Sequence, residues 1–189
     1  MTGRPAWVWR FAAALAVCGL ALVAIPLGAR ADLELRGPLG LLGQEPSYID
    51  LASGAFDLIG GDPGHEHSVP MLRGEFRFGE KLWYLGPAAG VLVNDQGGTM
   101  LYGGVYADAL FGNIVVTPLL GLGAYWKEGS ENLGGVFEFR LSLEAAYEFD
   151  GGSRLGLQVA HISNGGIHKY NPSDNELLLT YAVPLSSMP

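Results

Sequence analysis

Val136-Phe137-Glu138-Phe139-Arg140-Leu141-Ser142-Leu143-Glu144-Ala145-Ala146-Tyr147-Glu148-Phe149-Asp150 is the stretch that decides the fold. Side chains alternate faces along a β-strand. Phe137, Phe139, Leu141, Leu143, Ala145, Tyr147 and Phe149 therefore share one side, and Glu138, Arg140, Ser142, Glu144, Glu148 and Asp150 share the other. Such alternation predicts a sheet with one apolar and one polar face. Its length adds a second inference. A soluble strand averages ~5–6 residues, a strand crossing a bilayer needs ~9–11, and this run has 15.

Seven further runs read as strands: 48–59, 71–79, 82–94, 99–112, 114–127, 154–163 and 175–185. Pro87 and Pro118 fall inside two of them and remove ladder donors, so bent or bulged strands are expected there. The connections alternate in length. Those at 60–70, 95–98, 129–135 and 164–174 are longer than those at 79–81, 112–113 and 151–152. An even strand number with long external loops and short periplasmic turns describes an outer-membrane barrel. The expected class is all-β: an eight-stranded antiparallel transmembrane β-barrel over 47–185. In so narrow a barrel the polar faces fill the interior, so the apolar faces meet lipid. Trp83, Tyr84, Tyr102, Tyr106, Tyr125 and Trp126 lie near strand ends, where interfacial girdles and ordinary aromatic packing are both open readings.

The barrel is preceded by a different kind of sequence. Residues 1–31 carry Arg4 and Arg10, an apolar run over 11–27, and Ala29-Arg30-Ala31. This is the pattern of a cleaved secretory signal peptide. Residues 32–46 read as an irregular lead-in and 186–189 as a tail. Cys18, the single cysteine, lies inside the apolar run, so the mature chain would have no thiol for disulfide, metal or redox chemistry. Removing Arg4, Arg10 and Arg30 from 11 basic residues leaves 8 against 19 acidic ones. That balance excludes nucleic acid as a partner, which needs a basic footprint.

Candidate chemistry sits at the end of the 154–163 strand. Leu155, Leu157, Val159, His161 and Ser163 share a face. The imidazole and hydroxyl thus lie within reach of each other on the lipid-facing wall. A serine hydroxyl becomes a useful nucleophile when a neighbour accepts its proton. The histidine in turn needs an acceptor to orient it. In the last strand Asn175 projects to the same outer side if the strand is regular, whereas a bulge would bring Glu176 outward instead. After Ser163 the chain reads Asn164-Gly165-Gly166, whose backbone N–H groups can face an oxyanion. His65-Glu66-His67, with Asp62, lies in a Gly/Pro loop that reads as solvated rather than as a metal site. His168 and Lys169 follow the motif and are candidates for phosphate contact.

His161-Ile162-Ser163-Asn164-Gly165-Gly166, with Asn171-Pro172 and a terminal apolar strand, resembles the outer-membrane lipid A 3-O-deacylases of the PagL type. The motif match covers about the last 30 residues. The resemblance implies an eight-stranded barrel with a Ser-His-Glu triad on its lipid-facing wall, cleaving the ester-linked 3-hydroxyacyl chain of lipid A without cofactor or metal. His161 and Ser163 fall on the family's base and nucleophile, and Asn164 on its adjacent asparagine. The family's glutamate falls on Asn175, with Glu176 one residue late, and Gly165 replaces the more usual alanine. The implied partners are lipopolysaccharide and the outer membrane, with a homodimer left open. The competing expectations are a non-catalytic outer-membrane barrel with a structural or lipid-binding role, motivated by the glutamate missing at 175, and a soluble periplasmic lipid-binding β-protein.

Overall fold

The computed structural model describes residues 39–58 and 68–185. The expected signal peptide, residues 32–38 of the lead-in, the His65-Glu66-His67 loop with Asp62, and the tail at 186–189 lie outside the described residues. The strands are β1 (Leu39–Leu42), β2 (Ser47–Phe56), β3 (Val69–Arg77), β4 (Gly86–Asn94), β5 (Thr99–Tyr106), β6 (Asp108–Phe111), β7 (Ile114–Trp126), β8 (Phe137–Glu148), β9 (Arg154–Ser163) and β10 (Asp174–Leu185). All pairings are antiparallel. The chain winds β2-β3-β4-β5-β7-β8-β9-β10, and β10 returns to β2 with Tyr181 opposite Leu51. The sheet therefore closes into a barrel. β6 continues β5: Tyr106 faces Leu119 and Ala109 faces Val116 in one unbroken register, so the two form a single barrel strand and the expected count of eight holds.

Both prolines leave a physical signature. In an antiparallel ladder every second opposed pair exchanges two N–H···O bonds, and a proline in such a pair can only accept. The Ala107 N–H donates to Pro118 O at 3.2 Å. No bond comes back from Pro118, and the β5/β6 strand is interrupted at Ala107. Likewise Phe78 N–H donates to Pro87 O at 3.0 Å, and β3 ends at Arg77. The 82–94 run consequently begins as a strand only at Gly86. Before it, Leu82 and Leu85 close a small turn with Trp83 at φ 58°, so the connection expected over 79–81 is longer than its length class implied. A second difference concerns the lead-in. It contains β1, which pairs with β6 (Leu41 opposite Ala109). β6 extends past the start of β4, and β1 covers the edge left open there.

The two faces separate as the alternation predicts. The outer wall is apolar, with Leu51, Leu72, Leu101, Leu122, Leu157 and Leu179 each more than half exposed. The interior holds an apolar cluster that includes Phe56, Leu92, Met100, Ile162 and Leu178, together with a lattice of charge. Arg77 binds Asp50 and Glu144, each at 2.6 Å, and Glu75 at 2.8 Å. Arg73 reaches Asp50 at 3.1 Å. Arg140 binds Glu176 at 2.6 Å and Gln158 at 2.9 Å. At the turn end Lys81 and Arg154 both hold Glu45 and lie against Asp108. The aromatic residues divide between the two open readings. Tyr102, Tyr106 and Tyr125 are buried, with the Tyr102 hydroxyl on Glu75 at 2.5 Å, whereas Trp83 and Trp126 are exposed.

Candidate active site

β8, β9 and β10 lie side by side at the long-loop end of the barrel. In their register Asn175 faces His161, His161 faces Leu141, and Ser163 faces Phe139. β10 is regular from Asp174 onward, so Asn175 shares the outward face with His161. Asn175 Oδ1 lies 3.0 Å from His161 Nδ1. An amide oxygen only accepts, so with the amide in this orientation the contact calls for the Nδ1–H tautomer, in which Nε2 is the basic nitrogen. Ser163 stands on the same face, about 6.6 Å further along the strand. All three residues are half-buried, and Val159, Leu177, Leu141 and Phe139 flank them.

Glu176 is corrected as an orienting candidate. With no bulge in β10 its side chain points inward, where it is 2% exposed and bound to Arg140. It faces Ala160 on β9, on the opposite side of the sheet from the imidazole.

The Asn164-Gly165-Gly166 turn also differs from expectation. Asn164 N–H donates to Asn171 Oδ1 at 3.1 Å, and Gly166 N–H donates to Asn164 Oδ1 at 3.0 Å. Two of the three backbone donors considered for an oxyanion are thus engaged within the loop, and the Gly165 N–H remains. The Asn164 side chain has a role the sequence did not announce. It is fully buried, and Nδ2 donates to Leu133 O at 2.9 Å and Tyr170 O at 2.8 Å. One amide therefore ties the β9–β10 loop to the β7–β8 loop. Gly134 makes the approach possible: a Cβ there would lie 1.9 Å from Tyr170 O, and its φ is 98°. Gly165, at φ 64°, passes under the Phe139 ring, whose nearest atom would be 3.2 Å from an added Cβ. Phe139 in turn packs edge-on against Phe137 with centroids 5.1 Å apart.

A closed barrel with a greasy wall, a charged interior and a His-Asn contact facing outward is a membrane-barrel architecture. The comparisons with known proteins agree. The family described as lipid A 3-O-deacylase (PagL) matches residues 43–184. Among solved structures, one described as the crystal structure of the outer membrane enzyme PagL is similar at 20% identity with TM-score 0.60, over 73% of this chain and 99% of that one. Another, from a study of de novo designed transmembrane β-barrels, is similar at 12% identity with TM-score 0.52, over 76% of this chain and 100% of that one. These two likenesses speak for the fold alone. No curated protein sequence matches. The family match spans most of the chain, and the chain belongs to the lipid A 3-O-deacylase family. It is an outer-membrane barrel.

Proposed function

We propose that the protein is an outer-membrane serine esterase that removes the 3-O-linked hydroxyacyl chain of lipid A. The observation that carries this reading is the 3.0 Å contact between His161 Nδ1 and Asn175 Oδ1 on the lipid-facing wall, beside Ser163. Ser163 Oγ attacks the ester carbonyl as its proton passes to His161 Nε2. The resulting oxyanion is met by the Gly165 N–H. Collapse expels the sugar oxygen, which takes the proton from His161 and leaves an acyl-serine. Water, deprotonated by the same nitrogen, attacks the acyl-serine and frees the fatty acid. Asn175 holds the ring in the productive tautomer. Because the three side chains sit on the outer wall, the acyl chain stays in the bilayer throughout.

The test is the mass of lipid A from cells making this chain. One hydroxyacyl group is lost with the natural sequence. Ser163→Ala and His161→Ala each cut the rate by about 10³-fold or more, with the barrel still folded and heat-modifiable on gels. Deacylation that persists in Ser163→Ala would refute the mechanism. A non-catalytic barrel is the second reading, favoured by the neutral amide where the family carries a carboxylate. Unmodified lipid A with the natural sequence would decide for it.

A further inference from the structure

At the long-loop end, the exit from β7 and the return into β8 enclose a hollow of about 480 Å³. Sites for small ligands commonly measure ~300–1,000 Å³. Trp126, Lys127 and Glu128 form one wall, and Asn132, Gly135 and Val136 form the other. The hollow adjoins the candidate active site through two connections. Ser163 faces Phe139, and Val136 lies three residues before Phe139 on the same segment, roughly 10 Å of chain. The loop that follows Ser163 also packs its His168 ring on Gly135, where an added Cβ would be 2.2 Å from the ring. His168 Nε2 is buried there, with no hydrogen-bond partner among the described residues.

The lining selects a ligand chemistry. Lys127 is exposed, and the lysine ion pairs among the described residues both belong to Lys81, so the Lys127 ammonium is uncommitted. Trp126 is 45% exposed and offers an indole face. Glu128 is exposed and would repel a bare anion, but it accepts hydrogen bonds from hydroxyl groups, as Asn132 also can. An apolar ring face, a cation and hydroxyl acceptors together suit a phosphorylated sugar better than a fatty acyl chain or a free anion.

We infer that the hollow seats the sugar–phosphate headgroup of the ester substrate, with Lys127 on the phosphate and Trp126 against the sugar ring. The inference rests on the esterase reading above and names the part of the substrate held outside the bilayer. Full-length protein folded in detergent is given bisphosphorylated lipid A or the same lipid A with its phosphates removed, and the ratio of the two kcat/KM values is measured. Lys127→Ala lowers this preference about tenfold, through KM, the loss of one charge-assisted contact of about 1.4 kcal/mol. Lys127→Arg retains it. An unchanged ratio in Lys127→Ala, or an equal fall in Lys127→Arg, overturns the assignment. If the natural sequence deacylates neither substrate, the esterase reading fails, and binding decides the headgroup site separately. Phosphorylated lipid A then binds Ser163→Ala about tenfold more tightly than Ser163→Ala/Lys127→Ala, read by tryptophan fluorescence. Equal affinities overturn the site.

Discussion

At the scale of single residues, the question is what an amide does where the family has a carboxylate. Asn175 makes one neutral hydrogen bond to His161. In the proposed mechanism it orients the ring but adds no charge to stabilise the imidazolium that would form as Ser163 loses its proton. A charge-assisted hydrogen bond is roughly twice as strong as a neutral one. Asn175→Glu should therefore raise kcat, and Asn175→Ala should lower it by about tenfold, corresponding to one neutral bond of ~1–1.5 kcal/mol. Single-turnover rates on a 3-O-acyl ester would separate the outcomes. No change in either variant would show that Asn175 does not orient the histidine. His161, Ser163 and Asn175 were legible as one outward patch, because alternation along β9 and β10 is a local rule. The choice between Asn175 and Glu176 was not, since it depends on whether β10 starts with a bulge. The pairing with β9 and the pull of Arg140 on Glu176 settle that geometry, and both act across strands.

At the scale of elements, the site depends on two loops held together at one crossing. Asn164 ties Leu133 O to Tyr170 O, and Gly134 slides beneath Tyr170 at a distance no side chain permits. Gly134→Ala adds a left-handed backbone penalty of ~1–2 kcal/mol to a steric overlap with a carbonyl oxygen. The expected result is a barrel with unchanged heat-modifiable mobility but at least tenfold less esterase activity, because the turn after Ser163 moves. Equal activity would mean that the crossing does not position the turn. None of this was visible in the sequence, where Gly134 is one turn glycine among many and Asn164 looked like a supplier of backbone N–H. The strands themselves were more legible. Residues 154–163 fall on β9 at both ends, and most other boundaries shift by a few residues. The elements missed were those set by a partner: β1, which exists because β6 leaves an edge, and the turn before β4, which exists because Pro87 cannot answer Phe78.

At the scale of the whole molecule, the barrel combines a network of paired buried charge with a cluster of buried apolar side chains that includes Phe56, Leu92, Met100 and Ile162. The inner face of β8 holds Arg140 between Glu176 and Gln158, fully buried. Deleting one member of a buried pair typically costs ~3–5 kcal/mol, because the survivor is left charged and dry. Arg140→Met should lower barrel stability by that amount, measured as a shift of the urea unfolding midpoint in detergent. Arg140→Met/Glu176→Leu should recover most of the loss. A double variant no more stable than the single one would show that the pair is not the reason Arg140 matters. The alternation in 136–150 foretold which side chains enter this lattice. It did not foretell which acid meets which base, because that follows from the shear of strands distant in sequence.

Guanidinium groups and carboxylates knit across the lumen also determine what the cylinder cannot be. Where a porin keeps a watery bore, this one is stoppered along its axis by its own side chains. An outer membrane can therefore hold copies of this barrel without a water-filled bore passing through each of them.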